Sequence, residues 1–361
     1  MIDECLSMPV VWTTAHRMHD PGGEVWVGVR IPGTEVPERA EVIHRALADV
    51  SATFVDPDEH GIMPIAAVHS HGLLDYLEHA YERWIAAGLD HEPGQDRVVP
   101  YVFPLPQLMG GRDLRMPVAP SALAGWYTMD TTTLIGPGTF DAACAAADVA
   151  LTAVDLVLGG APAAYGACRP PGHHAGTVFF GGSCYLNNAA IAAKALKDGG
   201  AGSIAIVDLD AHHGNGTQEI FYERADVFYG SVHADPGAGN FPHFMGYEGE
   251  VGAGPGRGHN LNVPLPSDAE TDVWLAAVST VIDRASAHRP DALVVSLGVD
   301  GWIADPEGPL LVNEDGFSAA GEYLAALGVP TVFVQEGGYD LDRLGTLVAQ
   351  VLIGFEKGRR T

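Results

Sequence analysis

The chain has 361 residues, 47% of them hydrophobic and 18% charged, and its 19 Lys and Arg against 46 Asp and Glu give a formal charge of −27. Such a field repels nucleic-acid phosphates and no basic cluster offsets it, so a nucleic-acid partner is excluded, while any cleft will favour cations. No run approaches the ~20 apolar residues that a spanning helix needs, so no membrane partner is expected.

At the amino terminus, MIDECLSMPVVW carries acids and lacks an apolar h-region, so a secretory signal is not expected. Cys5, Cys144, Cys168 and Cys184 lie far apart without a CxxC. That argues against a disulfide framework or thiolate metal site and fits a reducing cytoplasm. TFVDP is the first quoted apolar run to end in polar residues. Residues 91–120 then break the pattern; they are Pro- and Gly-rich without helical periodicity and read as a rim or dimer loop. FDAACAAADVALTAVDLVLGG reads as a helix and leads into AAYGACRPPGHH, a buried strand ending in a rigid turn that carries His173 and His174. A second helix, YLNNAAIAAKALKDGG, precedes four more strand ends: SIAIVDLDAHHG, VFYGSVHADP, ALVVSLGVDG and TVFVQEGGYD. No repeat or linker divides the chain, so residues 1–361 are expected to form a single α/β domain. Its sheet should be open and mostly parallel, flanked by helices on both faces. Ligands bind beyond the carboxyl ends of such strands, and every cluster of His, Asp and Tyr falls at one.

In VDLDAHHGNG an extended backbone would point positions 208, 210 and 212 the same way, bringing carboxylate and imidazole together at the strand tip. A further ligand must come from elsewhere, and Asp300 ends another apolar run. Asp210, His212 and Asp300 make an oxygen and nitrogen set suited to one Zn²⁺ with an open position for water. A lone DxD or HH is commonly a cap or a core hydrogen bond; several such motifs at successive strand ends are not.

RPPGHHAG, CYLNNAAIAA, DLDAHHGNGTQEIF, SVHADP, FPHFMGYEGEVGAG, SLGVDGWIADPEG and EGGYD resemble, in order, the motifs of the histone deacetylase superfamily. The FPHFMG…GAG run, with PERAEVI and VHSHGLLDYLEHAYERW, is most similar to its bacterial acetylpolyamine amidohydrolase branch. The resemblance implies the arginase/deacetylase fold, with Asp210, His212 and Asp300 as zinc ligands. It makes His174 the general base and acid, partnered by Asn215, and His173 an orienting group hydrogen bonded to Asp208. An uncharged Asn215 should leave His174 less basic than a carboxylate would. Tyr339 would donate to the substrate carbonyl and the ensuing oxyanion, with Gly337 and Gly338 allowing close backbone approach. A structural K⁺ or Na⁺ is implied at Asp208, the carbonyls of Asp210, His212 and Val232, and the Ser231 hydroxyl; a second may use carbonyls of Phe221, Arg224 and Val227. Two-manganese ureohydrolases share the fold, but Gly214 and Gly298 stand where that second metal needs carboxylates.

In the substrate channel implied by the resemblance, Gly337 and Phe241 match the family, whereas Ser183 stands where an aromatic ring is usual. Glu307 occupies a rim position at which polyamine-selective relatives carry a Glu, and a carboxylate there would pair with a protonated amine. The rim loop offers Asp113, with Glu92 and Asp96 farther off, and no acidic pair is evident in it. The reading is a zinc amidohydrolase for small cationic N-acetylated amines, probed against a protein acetyl-lysine deacetylase, a non-enzymatic binding scaffold and the ureohydrolase. A homodimer is expected from the resemblance and the long loop.

Overall fold

The computed structural model describes residues 5–91 and 95–360, which leaves Glu92 outside the described residues. Among the described residues ten strands are present: β1 Pro9–Val11, β2 Glu24–Trp26, β3 Val29–Ile31, β4 Thr53–Val55, β5 Ala163–Gly166, β6 Ile204–Asp208, β7 Val227–Ala234, β8 Asn260–Leu265, β9 Ala292–Leu297 and β10 Thr331–Gln335. The helices are α1 Glu38–Asp49, α2 Ile62–Ala66, α3 His71–Ala86, α4 Pro120–Tyr127, α5 Thr139–Leu158, α6 Asn188–Asp198, α7 Asn215–Phe221, α8 Thr271–His288, α9 Glu314–Ala325 and α10 Leu344–Arg360.

Eight strands form one sheet in the order β4-β1-β5-β10-β9-β6-β7-β8, and all seven pairings are parallel. Parallel strands buried on both faces need apolar residues at every position, and alternate residues here feed opposite cores. Ala205, Val207, Leu293, Val295 and Phe333 pack with α1, α8, α9 and α10. Ile204, Ile206, Val294, Val332 and Val334 pack with α3, α5 and α6 on the other face. The two-layered covering expected from the alternation of runs is therefore present.

The short antiparallel hairpin β2–β3, the strand β1 and the edge strand β8 escaped the sequence reading. β1 and the hairpin strands have only three residues each, too few to display a period. β8 (NLNVPL) mixes Asn and Pro into an alternating pattern because it closes the sheet edge, where a proline costs no ladder bond. Among the described residues no helix is long and apolar enough to cross a membrane.

Candidate metal and proton-transfer site

The chemistry-bearing side chains converge at the carboxyl ends of β5, β10, β9, β6 and β7. β6 ends at Asp208, so Asp210 and His212 lie in the turn that follows the strand. Main-chain amides shape that turn. Asp210 Oδ1 accepts from the His212 amide at 2.9 Å, Asp210 Oδ2 from Gly337 at 2.7 Å, and Asp300 Oδ1 from Ala211 at 2.7 Å. His212 Nδ1 then faces Asp300 Oδ2 at 2.9 Å and Asp210 Oδ1 at 3.3 Å. One ligand atom from each of the three residues falls within 4.8 Å of the others.

Two carboxylates buried side by side repel, and burial together with Asp210 pushes the Asp300 carboxyl upward. A divalent cation relieves that repulsion, and two oxygens with one imidazole nitrogen form a donor set that fits zinc. The glycines of the missing second metal site are sterically required here. A Cβ on Gly298 would lie 2.1 Å from Asp210 Oδ2, and one on Gly214 would lie 2.4 Å from Asp208 Oδ2.

His173 and His174 follow the Arg169–Pro170 turn, their ring centroids 4.0 Å apart. His173 Nδ1 donates to Asp208 Oδ2 at 3.0 Å, which also accepts from the Tyr229 hydroxyl at 2.9 Å. Burial works against a charged His173, but Asp208 and Asp210 outweigh it and push its pKa to about 10. His174 Nδ1 donates to Asn215 Oδ1 at 2.8 Å, leaving Nε2 as the proton-accepting nitrogen. Burial, then the neighbouring His173 and His212, hold His174 well below the usual histidine range, so it is neutral. Tyr339 is pushed upward by burial although Arg39 opposes this, and its hydroxyl keeps its proton. Both expected partnerships, His173 with Asp208 and His174 with Asn215, are thus present as contacts.

Several supporting residues were not read from the sequence. Buried Glu336 accepts from the Gly172 and His173 amides at 2.7 and 3.1 Å and from the Ser296 hydroxyl at 3.1 Å. Asp305 Oδ2 takes the Tyr339 amide at 2.7 Å while Oδ1 takes the Glu307 amide at 3.0 Å, tying the rim to the loop of Tyr339. Both acids stand inside quoted motifs, EGGYD and DGWIADPEG, so the signal was available. Asn187 of CYLNN caps α6 through the Ala190 amide and holds the Ala175 carbonyl, each at 2.9 Å.

A cavity of about 620 Å³ opens above these groups, with His174, His212, Asn215 and Tyr339 at its floor. Phe241 lines one wall with its ring edge-on to His174 at 4.8 Å. Ser183 lines the other, its backbone at φ 61° held by a hydrogen bond that its amide donates to Thr133 Oγ1 at 2.8 Å. Phe179 and Met129, not singled out in the sequence, also line the cavity. Gly337 is not among the lining residues, contrary to expectation; its amide is spent on Asp210 beneath the floor.

At the mouth stand Glu307, Trp26, Phe103 and Phe244, together with Glu24, which no motif had marked. Thr34 links the two acids: its amide donates to Glu24 Oε1 at 3.3 Å and its hydroxyl to Glu307 Oε1 at 3.0 Å. Burial first, then the charge of Glu307, pushes the Glu24 carboxyl up to about 7. The mouth thus carries two carboxylates, one from β2 and one from the segment after β9. Of the loop acids, Asp96 pairs with Arg30 and Arg97, and neither it nor Asp113 lines the cavity.

Ser231 lies beside Asp208 in the β6–β7 register, and its hydroxyl meets His233 Nδ1 at 2.8 Å. Val232 follows within β7, while Phe221 ends α7 and its carbonyl accepts from the Arg224 amide at 2.9 Å, just before Val227 opens β7.

The histone deacetylase domain matches residues 33–355. The chain belongs to the histone deacetylase family. It is 41% identical over 351 residues to acetylpolyamine amidohydrolase 1 of Pseudomonas aeruginosa, covering 97% of this chain and 99% of that one. It is also 41% identical over 348 residues to the acetylpolyamine amidohydrolase of Mycoplana ramosa, covering 96% and 99% of the two chains. The crystal structure of the acetylpolyamine aminohydrolase from Burkholderia pseudomallei is similar with a TM-score of 0.91 at 38% identity, covering 97% of this chain and 99% of that chain. The HDA15 HD domain is similar at a TM-score of 0.77 and 28% identity, covering 97% and 90%. The deacetylase-family sheet is thus the fold of this chain.

Proposed function

We propose that this member of the histone deacetylase family is a zinc-dependent amidohydrolase that removes acetyl groups from acetylated polyamines or related small amines. The observation that carries the reading is one cavity with amide-cleaving groups at its floor and a pair of glutamates at its mouth. The names of the bacterial relatives agree with it.

Asp210, His212 and Asp300 would hold one zinc ion, which supplies Lewis-acid activation of the water and the amide carbonyl. Neutral His174 takes the proton of the attacking water through Nε2 and later returns it to the departing amine. His173, paired to Asp208, stays protonated beside it and stabilises negative charge accumulating at the floor. Tyr339 donates its hydroxyl proton in a hydrogen bond to the developing oxyanion. At the mouth, Glu24 and Glu307 attract the ammonium groups of the amine tail, and a neutral or bulky substrate lacks that attraction. A structural K⁺ or Na⁺ at Asp208, Ser231 and the neighbouring carbonyls is part of the reading, supported by the adjacent register of Asp208 and Ser231.

We also propose a homodimer and a cytoplasmic setting. The segment after residue 95 exposes Tyr101, Leu105, Met116 and Val118, the last 95% accessible, an apolar rim suited to a second copy. Four free cysteines suit a reducing compartment.

The test is a substrate panel of acetylputrescine, acetylspermidine, acetyl-lysine peptide and neutral anilide, run beside metal analysis of the purified protein. Acetylated polyamines should be the best substrates with about one divalent ion per chain. Preference for the peptide would move the protein to the acetyl-lysine deacetylases, and two ions per chain would sink the single-zinc reading.

A further inference from the structure

Behind the cavity floor, on the side away from solvent, lies a cluster of charged residues with no part in the chemistry above. Glu35, just before α1, is 2% exposed, and Arg39 and Arg169 beside it are 1% and 2% exposed. Glu35 Oε1 lies 3.0 Å from Arg39 Nη1 and 2.8 Å from Arg169 Nε, while Oε2 accepts from Arg169 Nη2 at 3.0 Å. His19 Nε2 stands 3.5 Å from Oε2, and Nδ1 of the same ring contacts the Thr139 hydroxyl at 3.1 Å.

Each arginine spends its other N–H groups on main-chain carbonyls. Arg39 Nε donates to Gly338 O at 2.7 Å and Nη2 to Glu336 O at 2.5 Å, with the guanidinium 4.7 Å from the centre of the Tyr339 ring. Arg169 Nη1 donates to the His16 and His19 carbonyls at 2.7 and 2.9 Å, and Arg169 begins the turn that ends in His173 and His174. One guanidinium therefore clamps the Tyr339 loop after β10, and the other opens the histidine turn after β5. Glu35 is the shared counter-ion. Without it two buried cations would face one another and could not both keep their places. Burial opposes its ionisation, but Arg169, His19 and Arg39 hold its carboxyl far below the usual range.

We propose that Glu35 is a positioning residue that holds the Tyr339 loop and the His173–His174 turn in mutual register from behind, through Arg39 and Arg169. Its consequence for catalysis rests on the roles given to Tyr339 and His174 under the proposed function; its consequence for loop order does not. The general base and the oxyanion donor lie on different strands, and a displacement of about 1 Å between such groups can cost on the order of a hundredfold in rate.

The test compares Glu35→Asp, which keeps the charge but shortens its reach, with Arg39→Lys, which keeps the charge but loses the fork. Both should lower kcat on the best acetylated amine by about tenfold or more, with KM within about twofold and metal content unchanged. Introduced into Tyr339→Phe, Arg39→Lys should lower the residual kcat by less than about twofold, because the group it positions is already gone. Amide hydrogen exchange should quicken at residues 336–339 in both variants and at residues 172–174 only in Glu35→Asp. Should Glu35→Asp fail to fold, Arg39→Lys still decides through kinetics and exchange. Unchanged kcat, a full multiplicative loss on the Tyr339→Phe background, or exchange that quickens in neither loop overturns the proposal. If the wild type hydrolyses none of the acetylated amines, the proposed function fails, and the exchange data alone then decide whether Glu35 braces the two loops.

Discussion

The floor and the mouth of the cavity are built by opposite means. At the floor, Asp208, Asp210, His173, His174 and Asp300 are each less than 5% exposed, and the Asp210 and Asp300 carboxylates are held by main-chain amides beyond the ends of central strands. At the mouth, the walls come from the two-stranded hairpin β2–β3, the Pro-rich segment after residue 95 and the stretch around Phe244, with Trp26 57% and Phe244 89% exposed. The floor is rigid because its polar groups are satisfied internally. The mouth owes its character to charge and apolar surface gathered from distant parts of the chain. Under the proposed function, the buried part would set the reaction type and the exposed part the choice of substrate.

The sharpest way to break the floor is Gly298→Asp, which puts back the carboxylate position of a two-metal site. Because a Cβ there meets Asp210 Oδ2 at 2.1 Å, the variant should lose its divalent ion rather than gain one, with turnover falling below detection. Metal analysis showing two ions would refute the steric argument. Next, Tyr339→Phe should lower kcat by about 10²–10³ while zinc content and melting temperature stay at wild-type values. A loss confined to KM would mean that Tyr339 binds substrate without stabilising the oxyanion.

The mouth gives smaller effects. Glu24 is neutral below its pKa of about 7 and charged above it. KM for a cationic acetylated amine should therefore fall as pH rises through 7, KM for a neutral anilide should stay flat, and Glu24→Gln should remove the slope at a cost of about tenfold in KM above pH 7. A bound ammonium favours the carboxylate, so binding near pH 7 should release a proton, which calorimetry in two buffers of different ionisation enthalpy can read. Glu307 is exposed, and screening leaves Glu307→Leu a change of about threefold in the preference for acetylspermidine over acetyl-lysine peptide. An unchanged preference would take Glu307 out of substrate selection.

The same contrast explains what the sequence discloses. Asp210, His212, Asp300 and the histidine pair were legible because a buried strand is an unmistakable run of Val, Ile, Leu and Ala, and polar residues at its end have few other reasons to be there. The amide contacts that hold Asp210 and His212 together in the turn after β6 are not written in that pattern. Glu24 was illegible because its strand has three residues and its partner, Glu307, lies 283 positions onward (307 − 24). Arg39 and Arg169 stand inside PERAEVI and RPPGHHAG, but their pairing with Glu35 was illegible for a related reason: a charge in sequence reads as surface, and only packing reveals that these three are buried against each other. In the 91–120 loop, composition marked irregular structure, and Phe103 does reach the mouth.

The strand order has a consequence for how the site is assembled. β4, β1 and β5 form one group, and β9, β6, β7 and β8 another; between them only β10 makes sheet bonds. Asp210, His212 and Asp300 all belong to the second group, His173 and His174 to the first, and Tyr339 follows the strand that joins them. β10 is also the last strand in the sequence, so its pairing with β5 and β9 is what closes the two groups into one sheet. Under the proposed function, hydrolysis would therefore depend on residues 331–335 pairing with both groups, and Gly337, whose amide holds Asp210, arrives with the same strand.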